Sequence, residues 1–186
     1  MFTFEIIPVN IKDKQIIDNL VGFLSMRFNA RISVSTKIAL GEILKYYNES
    51  RGQLNALELL NNLQFKLISN PSSRFVIMIN SDAYVEDIGD VFGISKPGWG
   101  GIVFIKRLNP IYYGYPFNVK IYTIRIIKQV VHELGHSLGL PYCNNRRCIM
   151  SYINNIFDLD NRLVFLCRKC QLNLERLHPG ILKFIV

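Results

Sequence analysis

The segment that most restricts what this chain can fold into is Val131 to Met150, VHELGHSLGLPYCNNRRCIM, which carries two of the three histidines and two of the four cysteines. Cys143 and Cys148 are separated by four residues, and the remaining pair, Cys167 and Cys170, by two. Two pairs at these spacings are the pattern of ligands that close a four-cysteine zinc site. Such a site would tether the loop after residue 142 to the last helix, so any fold must bring residues 143–148 and 167–170 together.

The redox setting supports metal ligation over disulfides. The N-terminus, MFTFEIIPVN, has no basic n-region and no small-residue cleavage site, and so does not read as a secretory signal. The expected compartment is therefore the cytoplasm, where thiols stay reduced. Hydrophobic residues make up 49% of the 186-residue chain, yet no stretch approaches eighteen uncharged apolar residues, and no membrane span is expected. The formal net charge of +8 comes from scattered Lys and Arg; the densest groups, Arg146-Arg147 and Arg168-Lys169, lie among the cysteines, where they would offset the negative charge of four thiolates on one zinc. Nucleic acid is not an expected partner, and a monomer is the expected state.

Hydrophobic spacing predicts an alternation of strands and helices. Phe2 to Val9 and Arg31 to Thr36 read as strands, and Phe75 to Ile79 is an unbroken apolar run suited to a sheet interior. Ile16, Ile17, Leu20, Val21, Leu24 and Phe28 recur at helical spacing after Asp13, a potential N-cap. Ser50 and Gln53 have the form of a capping box before a helix over 54–65. Ser81 to Asp90 and Leu108 to Asn118 read as loops. Val91 to Ser95 and Ile102 to Lys106 read as short strands around a glycine-rich reversal. Asp160 is placed to cap a long final helix through Cys167 and Cys170. One α/β domain over residues 1–186 accounts for this order.

From Val119 a helix is predicted, with Ile127, Val130, Val131, Leu134 and Leu138 as its buried stripe and Gly139 and Pro141 as its stop. His132 and His136 are four apart on it, so both rings leave one face about one turn apart, a separation that one zinc ion can bridge. Glu133 follows the first histidine, where a carboxylate can act as general base on a water whose pKa zinc lowers, and then return the proton to a leaving amine. H-E-x-x-H on a helix thus points to a zinc metallopeptidase.

The run H-E-L-G-H-S-L-G, then Cys143, Cys148, Ile149 and Met150, and later Cys167-x-x-Cys170, resembles the archaemetzincins, zinc-peptidase-like proteins of the metzincin group. Tyr47-Asn48 with Arg51 and Gln53, Asp82-x-Tyr84 and Phe92-Gly93 also resemble segments of that family, so that the likeness covers about residues 47 to 170. It implies a compact metzincin-like domain: a twisted mixed sheet backed by helices, an active helix below a cleft, and an edge strand able to pair with a peptide or protein substrate. It further implies two zinc ions, one catalytic and one structural. Gly139 would permit the turn that brings a third ligand to the metal, and Met150 would be the Met-turn residue beneath it.

One position departs from the family pattern. The signature continues to a third histidine, and Tyr142 stands in its place. Three alternatives follow: Tyr142 ligates zinc as a phenolate, against an ordinary pKa of about 10; water fills the third position of a weak two-histidine site; or the catalytic zinc is absent and the protein is a catalytically inactive peptide- or protein-binding protein that keeps the fold and is stabilised by the structural zinc. Met150-Ser151-Tyr152 resembles the Met-x-Tyr of astacin-like metzincins, in which case Tyr152 would supply an oxygen to the zinc or the oxyanion. His178, between Leu177 and Pro179, reads as an end-of-helix residue.

Overall fold

The computed structural model describes residues 1–68 and 70–184. The chain opens with β1 (Phe2–Val9), α1 (Lys14–Arg27), β2 (Ala30–Val34) and the single turn α2 (Leu40–Ile43). It continues through β3 (Tyr47–Asn48), β4 (Gln53–Asn55), α3 (Ala56–Lys66) and β5 (Ser73–Ile79). Four short strands follow, β6 (Ala83–Val85), β7 (Gly89–Asp90), β8 (Gly93–Lys96) and β9 (Gly100–Phe104), before α4 (Val119–Ser137), α5 (Ile156–Asp160) and α6 (Arg168–Leu177). These elements make an α/β fold with two mixed sheets.

The larger sheet has the order β2-β1-β5-β9-β8. Its first four strands are parallel, while β8 returns antiparallel along β9 and forms the edge. Successive side chains of a strand point to opposite faces, and this divides the core in two. Phe4, Ile6, Val76, Met78 and Val103 pack on one side with Leu20 and Leu24 of α1 and Ile126, Val130 and Leu134 of α4. Ile7, Val9, Phe75, Ile77 and Phe104 pack on the other with Leu59, Leu60 and Leu63 of α3. The central place of β5 explains its unbroken apolar sequence.

The smaller sheet, β3-β4-β6-β7, is held by polar side chains. Gln53 donates from Nε2 to Asp82 at 3.2 Å and to Asp90 at 2.7 Å, and Arg107 pairs with Asp90 at 2.7 Å. Arg51 donates to Gln53 Oε1 at 3.1 Å and lies over the Tyr84 ring. This network steadies β7, which leads directly into the edge strand β8.

Three sequence expectations are corrected. Gln53 does not close a capping box with Ser50; it is drawn into β4 by pairing with β3, and the N-cap of α3 is Asn55, whose side chain accepts from Glu58 N–H at 3.2 Å. Asp160 does not start a long helix. It ends the short α5 and binds Arg125 through both carboxylate oxygens at 2.8 and 2.6 Å, and the final helix begins only at Arg168 with Cys167 as its N-cap. The segment 81–90 is also not all loop, since β6 and β7 lie within it. Among the described residues, no helix is long and apolar enough to cross a membrane.

The β8–β9 reversal depends on Gly100, whose φ is +153° and whose added Cβ would lie 2.2 Å from the Phe75 carbonyl oxygen. Gly100→Ala should therefore lower unfolding free energy by about 3 kcal/mol or more. Gly114→Ala, at φ +78° but in open space, should cost only about 1 kcal/mol. Equilibrium denaturant unfolding of both variants checks the contrast.

Candidate active site

Helix α4 is anchored at its start by Asn118, whose side chain accepts from Ile121 N–H at 3.1 Å, and its last two turns carry the site. The rings of His132 and His136 stand 4.6 Å apart between centroids, nearly perpendicular. Each points Nδ1 at a backbone carbonyl: His132 at Ile149 O, 2.7 Å, and His136 at Leu140 O, 2.8 Å. A carbonyl can only accept, so both rings carry their proton on Nδ1 and leave an Nε2 lone pair free. Burial pushes both histidines down towards the neutral form. His136 Nε2 is buried without a hydrogen-bond partner among the described residues. Two neutral imidazoles with backbone-fixed tautomers and unused Nε2 atoms form a donor set that fits zinc.

Glu133 is buried between α4 and the β8–β9 hairpin. A Cβ at Gly93 would fall 2.5 Å from Glu133 Oε1, and one at Gly101 would fall 2.7 Å from Glu133 Cβ. The carboxylate therefore occupies a slot left by two missing side chains. Gln129, one turn earlier on α4, donates from Nε2 to Glu133 Oε1 at 2.7 Å. Burial pushes the Glu133 pKa up, opposed by a hydrogen bond from the Ser95 side chain, by His136 and by Gln129.

A cleft of about 790 Å³ opens over these residues. It is lined by the segment 90–95, by Gln129, His132, Glu133 and His136 of α4, and by Tyr142, Tyr152 and Ile153. Among the described residues β8 pairs in the sheet with β9 alone, which leaves its other edge unpaired. Gly139, at φ +93°, turns the chain back after α4 and brings Tyr142 to the cleft. The Tyr142 ring lies 4.6 Å from His136, 6.0 Å from His132 and 5.4 Å from Tyr152, centroid to centroid. Burial, Glu133 and Tyr152 all push the Tyr142 hydroxyl pKa up. Met150 is fully buried against the opposite side of the helix: a Cβ at Gly135 would lie 2.4 Å from its Sδ.

The four cysteines converge as well. Cys143 and Cys167 Sγ are 3.9 Å apart, Cys148 and Cys170 Sγ are 3.8 Å apart, and all four lie within 4.8 Å of one another. Tetrahedral zinc with bonds of about 2.3 Å sets sulfurs about 3.8 Å apart, whereas a disulfide needs about 2 Å. The cluster therefore fits a metal and excludes disulfides. Cys148 accepts backbone N–H groups from Met150 and Cys167, each at 3.4 Å. The Cys170 hydrogen bond and these amides bring its thiol down to about 5.

The structure thus brings His132, Glu133, His136, Tyr142 and Tyr152 to one cleft, with Met150 behind it and the cysteines in a separate cluster. His178 ends α6 and donates from Nε2 to Leu138 O at 2.9 Å, as its sequence position suggests. Trp99 is buried and donates to Leu67 O, and so belongs to the core. Gln129, Ser95 and the glycines at 93 and 101 gain their places around Glu133 from the fold. Helical spacing from Glu133 could have found Gln129; the others depend on how the hairpin crosses the helix.

Comparison with known proteins gives a consistent picture. The model of peptidase family M54 matches residues 12–176. The archaemetzincin of Methanocaldococcus jannaschii is 33% identical over 162 residues, covering 85% of this chain and 87% of that protein. The archaemetzincin of Sulfolobus acidocaldarius is 34% identical over 124 residues, 67% of this chain and 70% of that protein. The crystal structure of an archaemetzincin from Archaeoglobus fulgidus, complexed with malonate, aligns with a TM-score of 0.76 and 28% identity over 92% of this chain and 99% of that one. A zinc-dependent peptidase from Methanocorpusculum labreanum shares the fold, with a TM-score of 0.77 and 23% identity over 92% of this chain and 99% of that one.

Zinc should copurify with the protein. Cys148→Ser and Cys170→Ser should each lose one zinc per chain and lower the melting temperature by on the order of 10 °C or more, because structural zinc contributes directly to folding. His132→Ala should leave that zinc bound. Elemental analysis and thermal melts check this.

Proposed function

The chain belongs to peptidase family M54, the archaemetzincins, and from that membership and its cleft we propose that it hydrolyses peptide bonds with His132 and His136 as zinc ligands and Glu133 as general base. The observation that carries this reading is the pair of histidines with Nδ1 fixed on carbonyls and Nε2 unused, beside a carboxylate buried in a cleft with an open strand edge.

Zinc held there supplies Lewis-acid polarisation of the scissile carbonyl and lowers the pKa of water towards neutrality. An extended substrate pairs with the free edge of β8, which aligns its main chain along the cleft. Glu133 takes a proton from the attacking water and returns it to the leaving amine; burial, by raising its pKa, brings the group closer to the range in which it can do both.

Tyr142 stands where the family pattern places a third histidine. The reading takes the centre as a weakened site, in which Tyr142 either ligates zinc as a phenolate, against an environment that pushes its hydroxyl pKa up, or serves with Tyr152 as a hydroxyl donor to the developing oxyanion. Met150 supports the helix from behind as the Met-turn residue. Cys143, Cys148, Cys167 and Cys170 hold a second, structural zinc. The reading includes a single domain, supported by the two cores sharing one sheet, and a cytoplasmic location, supported by four cysteines placed as thiol ligands rather than disulfides.

The second reading is an inactive, zinc-stabilised peptide- or protein-binding protein. Tyr142 favours it. Glu133 weighs against it, since burying a carboxylate in a slot lined by two glycines costs stability and gives a purely structural helix nothing in return.

On the first reading, the purified protein cleaves members of a peptide library, and Glu133→Gln reduces cleavage by about 100-fold or more without loss of zinc. No cleavage by zinc-loaded wild type would favour the second. Tyr142→His should tighten zinc at the histidine site by about tenfold or more, as measured by competition with a chelator, because an imidazole replaces a phenol that must first lose its proton.

A further inference from the structure

Gln129 is 3% exposed, lies in the cleft one helical turn before Glu133, and shows an asymmetry. Its Nε2 donates to Glu133 Oε1 at 2.7 Å, while its Oε1 is buried with no hydrogen-bond partner among the described residues. A buried acceptor left unmade is unfavourable, and among the described residues no other hydrogen bond holds the amide in its present orientation. Rotation by half a turn about its last side-chain bond would break only the bond to Glu133 and would present a carbonyl oxygen in place of the N–H.

The donating orientation suits a general base in both of its forms. A carboxylate accepts on both oxygens, and a carboxylic acid protonated on one oxygen still accepts on the other. An N–H fixed on Oε1 therefore holds the side chain throughout and leaves the second oxygen to carry the proton, which sets this position apart from an ordinary core hydrogen bond.

We propose that Gln129 is a positioning residue for Glu133, its amide N–H holding Oε1 in one place through both halves of the proton transfer while the other carboxylate oxygen carries the proton. In the first half, a water O–H bond breaks and its proton joins a Glu133 oxygen as the water oxygen bonds to the carbonyl carbon. In the second, that proton moves to the leaving nitrogen as the C–N bond breaks. Gln129 gains and loses no proton in either half. The inference rests on the peptidase reading given above.

The test compares wild type with Gln129→Met, which keeps the length of the side chain and removes both donor and acceptor. Zinc content, melting temperature, kcat and KM are measured on the zinc-loaded full chain with a peptide that wild type cleaves. The expected result is a fall in kcat of about 10- to 100-fold, the usual scale for loss of a supporting hydrogen bond at a metal site. KM should change by less than about threefold, zinc content should be unaltered, and the melting temperature should be equal or higher, since an unpaired buried acceptor has been removed. Should the methionine variant not fold, Gln129→Asn, one methylene too short to reach Glu133, carries the same kinetic expectation. An unchanged kcat in a folded variant, or a fall in kcat that only tracks a fall in melting temperature, would overturn the proposal while leaving the peptidase reading intact. Wild type that cleaves no peptide would overturn that reading and this inference with it.

Discussion

Glu133 can be buried where it is only because the hairpin crossing it has no side chain at Gly93 or Gly101. A single methyl group at either position would come within 2.7 Å of the glutamate, and relieving that contact would push α4 away from β8. The separation of helix and edge strand sets the width of the cleft, so the two glycines determine how close the histidines on α4 lie to the free edge of β8. Gly135 has the corresponding function on the other side of the helix, where Met150 approaches the backbone. The last turns of α4 are thus held between a strand that offers an edge and a sulfur that fills the space behind, and neither contact tolerates a larger residue.

The segment after α4 holds the histidines in a second way. Ile149 and Leu140 provide the carbonyls that fix the two imidazole tautomers. Ile149 directly follows Cys148, whose sulfur sits in the four-cysteine cluster. Loss of metal from that cluster would loosen the loop that orients His132, so the structural site and the cleft are joined through one short stretch of backbone. This gives a physical reason for the two sites to lie side by side in sequence: the clamp supports the carbonyls, and the carbonyls present the Nε2 atoms.

Tyr142 is the residue at which chemistry and fold part company. The turn at Gly139 delivers it to the cleft beside both histidines. Burial and the nearby Glu133 and Tyr152 push its hydroxyl pKa up. The backbone thus brings to the histidines a side chain whose oxygen is far less ready to give up a proton than an imidazolium. The two tyrosines make an aromatic wall more than half exposed to solvent, open to whatever enters the groove.

Much of this could be read along the chain, wherever the controlling interaction is local. Spacing of four on a helix places His132 and His136 on one face, cysteine pairs announce a metal cluster, and alternating or unbroken apolar runs mark β1 and β5. Expectations failed where partners distant in sequence competed with local signals: Gln53 was drawn from a helix cap into a strand by β3, and Asp160 from a helix start into an ion pair by Arg125. Ser95, Gly93 and Gly101 acquire their meaning only because the hairpin crosses α4 at Glu133, some thirty to forty residues later in the sequence. Residue identity and spacing decide which atoms are available as ligands and bases. Which of them meet, how deeply they are buried and what protonation state they hold depend on packing between segments far apart in the chain, and that only the folded structure decides.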